Sequence, residues 1–226
     1  MQVRVVEPEL LDCLPEGHPA ARRNRADLRR INNLMGNYRW LLRSLCKKLR
    51  PGDSIVEAGA GDGHFALKHL PGVAHAAVGT GGFTYTGLDL WSRPDGLPQA
   101  YRWEKADALE YDGWPDHSVV IVNLLLHQFA DAELSRFGAT VRPHARVILA
   151  NETARGPLRV WLARAAFLLG LNFVSRHDAV VSVRAGFRGG ELPALLGLDP
   201  ADGWEISVHT TAFGAYRLAA QRRETS

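Results

Sequence analysis

The chain has 226 residues, 46% hydrophobic and 23% charged, which is long enough to bury a substantial core and leaves no reason to expect a disordered or fibrous protein. Its formal charge of +3 is mild and comes mostly from arginine, since lysine stands only at 47, 48, 68 and 105. Such a balance lacks the dense basic tracts of a dedicated nucleic-acid binder, and no apolar run reaches membrane-spanning length.

The first 20 residues read as an irregular arm, punctuated by Pro8, Pro15 and Pro19. Acids and prolines occupy the place where a signal peptide needs an apolar stretch, so a cytoplasmic location is expected. Cys13 and Cys46, the only cysteines, have neither the spacing of a zinc site nor the number of a disulfide framework. From Ala20 to Leu49 the pattern is helical. Leu28, Ile31, Leu34 and Met35 recur at spacings of three and four, and Leu41, Leu42, Leu45 and Leu49 repeat this after a break at Gly36-Asn37. Arg22, Arg23, Arg25, Arg29, Arg30, Arg39 and Arg43 share this segment and read as a solvated face.

Ser54 to Ala58 reads as a short buried strand, followed by Gly59, Gly61 and Gly63 and then a helix from His64 to Leu70 that Pro71-Gly72 should stop. Strand, glycine-rich turn and helix form a unit that binds nucleotide-like ligands at its top. The spacing Glu57-x-Gly59-x-Gly61-x-Gly63 is neither G-x-G-x-x-G nor a P-loop. Glu57 would repel a pyrophosphate but suits a ligand with a cationic end, such as an amino acid joined to a nucleoside.

Residues 72–83 read as a loop, and Thr84 to Leu90 as a second strand containing Asp89. A third strand lies near Tyr101–Lys105, followed by Ala106-Asp107-Ala108, with little room for a helix between strands two and three. Ser118 to Leu126 is almost wholly apolar and fits a central parallel strand. A helix over Ala130–Val141, a buried strand over Ala145–Ala150 and an apolar helix over Pro157–Leu171 follow. Ser175-Arg176-His177-Asp178 reads as a polar loop, Gly190–Leu196 as a short helix, and Trp204–Thr210 with Ala215–Gln221 as a closing strand pair. Alternating strands and helices imply a mostly parallel sheet with ligands at the carboxyl ends of its strands.

The glycine motif resembles motif I of the class I S-adenosylmethionine-dependent methyltransferases, and the acids at the ends of three successive strands follow the order of that family. Further stretches are similar to bacterial small-molecule methyltransferases of polyketide or phenolic-lipid biosynthesis: Arg29-Arg30-Ile31-Asn32, Ala150-Asn151-Glu152, Arg176-His177-Asp178, Ser182-Val183-Arg184 and Phe187. The likeness runs from about Leu28 onward, although Ala179 stands where glycine is frequent. It implies a Rossmann-like α/β fold with seven strands, the last antiparallel, over residues 51–226, and an N-terminal arm and helices over 1–50 acting as a lid.

The resemblance implies S-adenosyl-L-methionine as cofactor, held by Glu57, Gly59, Ala60, Gly61, Gly63, Asp89, Leu90, Asp107, Ala108 and Asn123. Asp89 would accept from the ribose hydroxyls and Asp107 from the adenine amino group. The acceptor is expected to be a small hydrophobic aromatic or polyketide molecule, methylated at oxygen without a metal. His127, in the segment after the fourth strand, and His177 are the two candidates for general base. The alternatives are a cofactor-binding protein without turnover and a nucleic-acid or protein methyltransferase. The missing Asn/Asp-Pro-Pro-Tyr/Phe after strand four speaks against an enzyme that methylates base amino groups.

Overall fold

Seven strands form one sheet in the order β3-β2-β1-β4-β5-β7-β6 in the computed structural model, which describes residues 3–15, 17–76, 82–165 and 170–223. The strands are β1 (Ser54–Ala58), β2 (Thr84–Asp89), β3 (Arg102–Lys105), β4 (Ser118–Asn123), β5 (Ala145–Thr153), β6 (Trp204–Thr210) and β7 (Ala215–Arg222). β1 to β5 pair in parallel, while β7 runs antiparallel to both β5 and β6. The expected seven-stranded architecture with an antiparallel final strand is therefore the observed one.

Alternation along the strands splits the core into two layers. Ile55, Tyr85, Val119, Ile121, Val147 and Leu149 face one side, where Leu41 and Leu45 of α2 (Asn37–Lys48) and Phe65 of α3 (His64–Lys68) cover them. Val56, Ala58, Leu88, Val120, Val122, Ile148 and Ala150 face the other. There they meet Leu134 and Phe137 of α5 (Asp131–Val141), with Trp204 and Tyr216 from the closing strands. Burial on both faces explains why residues 119–122 of β4 are apolar without a break.

Three readings need correction. The helix after the glycine turn already ends at Lys68, and Pro71-Gly72 lie in the first turn of a new helix, α4 (Leu70–Ala76), where the missing N–H of proline costs nothing. Residues 72–76 of the expected loop are therefore helical, and 77–81 lie outside the described residues. β4 ends at Asn123, not Leu126: Leu124 turns left-handed (φ 59°), and a 3-10 turn over Leu126–Gln128 follows. Residues 175–178 are not a loop but lie within α7 (Phe173–Ala185), capped by the Asn172 side chain on the Ser175 amide. The apolar helix α6 is described over Pro157–Ala165, and part of its expected extension, 166–169, lies outside the described residues.

Among the described residues no helix is long and apolar enough to cross a membrane. The N-terminal helix α1 (Pro19–Leu34) ends at Gly36, whose φ of 69° allows the chain to reverse into α2. The strands β2 and β3 are joined without a helix, as expected. The Trp103 ring lies against Gly87 of β2, close enough that a Cβ there would meet it at 2.6 Å, and its Nε1 donates to the Trp91 carbonyl at 2.9 Å.

Candidate active site

At the carboxyl ends of the strands lies a cavity of about 790 Å³, the size expected of a pocket for a small molecule. Its floor is the turn between β1 and α3. Gly59, Gly61 and Gly63 take φ values of 70°, 60° and 68°, which L side chains rarely adopt. A Cβ on Gly63 would strike Pro94 at 2.8 Å and one on Gly59 would press on Leu125 at 3.0 Å, whereas one on Gly61 would meet nothing within 4 Å. Gly61 thus opens backbone directly to the cavity, and the other two let the loop pack beneath it.

Three acids from three adjacent strand ends line this space, together with Ala60, Leu90, Ala108 and Asn123. Glu57 is buried, accepts from the Tyr85 hydroxyl at 2.6 Å, and has its carboxyl pushed up to about 8. Burial is the main cause, and Asp89 and Asp62 add repulsion. Asp89 is oriented by two backbone amides, Gly61 N at 2.7 Å on Oδ2 and Trp91 N at 3.0 Å on Oδ1. Asp107 is exposed at the rim and accepts from Leu109 N at 2.9 Å. Asn123 accepts from Asn151 Nδ2 at 2.7 Å, which ties the ends of β4 and β5 together.

Helix α1 roofs the cavity with Leu28, Ile31 and Met35. Two arginines read as solvated face turn inward instead. Arg29 pairs with Asp62 of the glycine turn, and the Arg25 guanidinium lies 3.3 Å from the centre of the Trp91 ring. Nothing in the sequence pattern marks Trp91 for this role.

The opposite wall is built on Glu152, fully buried near the end of β5. Its Oε1 accepts from the amides of Leu125 and Leu126 at 3.0 and 2.9 Å, which holds the left-handed turn after β4 in place. Its Oε2 lies 2.6 Å from His127 Nδ1. His127 Nε2 lies 3.2 Å from Oε1 of Glu9, a residue of the N-terminal arm. Burial alone would lower the His127 pKa, but the hydrogen bonds to Glu152 and Glu9 outweigh it and push the imidazole up to about 10. Glu9 shifts the opposite way: burial would raise it, yet His127, Ser182 and Gln128 together bring it below the usual carboxylate value. The group is therefore an imidazolium between two carboxylates. His127 is at the expected sheet edge, but as a proton-saturated cation.

His177 is not part of this wall. It is exposed on the outer side of α7, 3.1 Å from Asp178, because the helical turn directs Ser175, Asp178, Ala179 and Ser182 inward and leaves residue 177 outside. Asp178 instead accepts the amides of Leu10 and Leu11 at 2.8 and 3.1 Å and so docks the arm. Glu9 has no periodicity or motif to announce it in the sequence. Among the described residues no three His, Cys, Asp or Glu side chains converge as a metal-ligand set.

No protein-family model and no curated protein sequence matches the chain. Solved structures do. The plantazolicin methyltransferase BamL, in complex with a triazolic desmethylPZN analog and SAH, matches with a TM-score of 0.69 at 10% identity, over 95% of this chain and 93% of that one. A candidate O-methyltransferase from Nostoc punctiforme matches with a TM-score of 0.57 at 12% identity. That match covers 84% of this chain but only 56% of the Nostoc protein's length. A structure concerned with conversion of a disulfide into a thioacetal in echinomycin biosynthesis matches with a TM-score of 0.50 at 22% identity, over 76% of both chains. At these identities the likeness establishes a shared fold, a Rossmann-like seven-stranded sheet with its last strand antiparallel, and nothing beyond it.

Proposed function

We propose that the chain is an S-adenosylmethionine-dependent methyltransferase acting at oxygen on a small acceptor. One observation carries this reading: Glu57, Asp89 and Asp107, from the ends of three adjacent strands, share a cavity with the bare backbone of Gly61. The residues fit the cofactor. Glu57 offers a buried carboxyl for its ammonium end, Asp89 an amide-held carboxylate for vicinal hydroxyls, and Asp107 an acceptor at the rim for an exocyclic amine. Gly59 and Ala60 line the cavity from the same loop, with Leu90, Ala108 and Asn123 along its sides, while Gly63 does not reach the cavity and packs against Pro94. When bound, the cofactor supplies an electrophilic methyl group on a sulfonium centre.

This chain's own residues then contribute position and exclusion of water. The roof of α1, pinned by Arg29 to Asp62, and the arm are the proposed lid. Leu124, Leu125 and Phe129 give the acceptor side an apolar wall. His127 is proposed to hold the acceptor oxygen by charge rather than to take its proton, because the flanking carboxylates of Glu152 and Glu9 favour its protonated form. Aligning an oxygen nucleophile in this way supplies much of the rate enhancement such a transfer needs.

S-adenosylmethionine should bind the purified chain and raise its melting temperature. Asp89→Ala should weaken binding by about 10–100-fold, the scale of losing hydrogen bonds to a charged acceptor. Unchanged affinity in calorimetry would remove Asp89 from the site, and binding without methyl transfer to any acceptor would favour a non-catalytic binder.

The cofactor affinity should also depend on pH. Below about 8 Glu57 is largely protonated, so a cationic ligand must expel that proton. Affinity should therefore rise between pH 6 and 7.5, then fall once the ligand's own amine, of pKa about 8, loses its charge. Glu57→Gln should abolish the rising limb. A limb that persists in this variant would mean that the proton does not belong to Glu57.

A further inference from the structure

Among residues 3–14 of the arm, Glu9 alone is buried, an inversion of what holds most chain segments to a protein surface. Val5, Val6, Glu7 and Pro8 around it are exposed, and a second cavity of about 160 Å³ lies between this stretch and Gln128. The arm is held by polar contacts. Arg4 reaches Asp131 and the carbonyls of His127, Phe129 and Ala185, while Leu10 and Leu11 donate to Asp178.

What Glu9 occupies is a cradle of three side-chain donors that belong to the body of the protein. Its Oε1 accepts from His127 Nε2 and from the Ser182 hydroxyl, whose single proton is shared with the Asp178 carbonyl, and its Oε2 accepts from Gln128 Nε2 at 3.0 Å. Glu152 fixes the imidazole from behind. His127, Gln128 and Ser182 all line the large cavity. A cradle that engages both oxygens of one anion favours a carboxylate over a phenolate, which offers a single oxygen. One carboxylate can also replace another without changing the buried charge, whereas a neutral ligand would leave the imidazolium short of a partner.

We propose that His127, Gln128 and Ser182 form a carboxylate-binding subsite for the methyl acceptor, and that Glu9 is its internal occupant, displaced when the acceptor enters. The proposal rests on the reading of the cavity as a methyl-transfer site, and it narrows the acceptor to a carboxylic acid. A carboxylate is already ionised at neutral pH, so a site that offers it a cation and no base is matched to it.

The test uses the full chain and benzoate as probe, with phenol and methyl benzoate as controls, in wild type, Glu9→Ala and Glu9→Gln. Removing the occupant lifts the competition, so benzoate should bind Glu9→Ala about tenfold or more tightly than wild type, with a smaller gain in Glu9→Gln. The controls should gain nothing, and benzoate should shift the His127 ring signals in NMR. Ser182→Ala in the Glu9→Ala background should reduce the gain. Equal benzoate affinity in all three proteins, or equal gains for the controls, overturns the subsite. If Glu9→Ala does not fold, Glu9→Gln carries the comparison. Because the readout is binding, the two readings fail separately. Methyl transfer to phenols with no benzoate gain sinks the subsite alone, and a benzoate gain without any transfer leaves it standing while the enzyme reading falls.

Discussion

Gly61→Val is expected to abolish S-adenosylmethionine binding, a loss of more than about 100-fold that follows from filling the contact surface of a small ligand. A valine Cβ at this position meets no protein atom within 4 Å, so its two methyl groups would stand in the cavity itself. The backbone there has φ +60°, which is costly for a β-branched residue. A stability loss of about 1–3 kcal/mol should accompany the change. Gly61→Ala separates the two effects, because it carries the backbone strain with much less of the bulk. Calorimetry should show weakened binding in the alanine variant and none in the valine variant. A folded valine variant with normal affinity would mean that the ligand does not approach this loop.

The second large effect is at His127. His127→Ala removes the one cation between the buried Glu9 and Glu152, which should destabilise the fold by about 3–5 kcal/mol in chemical denaturation. Adding Glu9→Gln should recover part of that loss, since the coupled groups are not additive. Turnover should fall by roughly 10²–10⁴-fold, while cofactor affinity changes little. The pH dependence then distinguishes the chemistry. A general base replaced by alanine is partly rescued at high pH with a phenol, because solvent takes the proton. A charge-holding imidazolium is not rescued by alkali with a carboxylic acceptor, which has no proton to lose. Rescue with a phenol would return His127 to the role of base.

The parts of this molecule that could be read from sequence are those where burial follows the rules of regular structure. β1, its three glycines and the apolar run of β4 are visible because a strand buried on both faces and a turn at positive φ each admit few residue types. Helix α7 does not announce itself because its buried face mixes polar and apolar residues: Ser175 and Asp178 are 3% and 5% exposed alongside Val174, Val181 and Ala185, while Phe173 is 72% exposed. A helix with polar residues on its buried face and an aromatic outside lacks the clean apolar stripe by which helices are found. Glu9 was illegible for a related reason. It owes its position to three donors distant in sequence, Ser182 among them at a separation of 173 residues, and an acid in a proline-rich arm gives no local sign of such partners.

The position of β7 has a consequence for biosynthesis. It follows β6 in the chain but lies inside the sheet, between β5 and β6. On the ribosome, therefore, the nine-residue, almost fully buried β5 waits with one side of its backbone unpaired until residues 215–222 have emerged. Until then β6 has no neighbour at all in the sheet. An open, apolar strand edge is a template for pairing with other chains. Folding yield at high expression should thus be limited by this late interior strand, and slowing synthesis just before residue 215 should lengthen the vulnerable interval and increase the aggregated fraction.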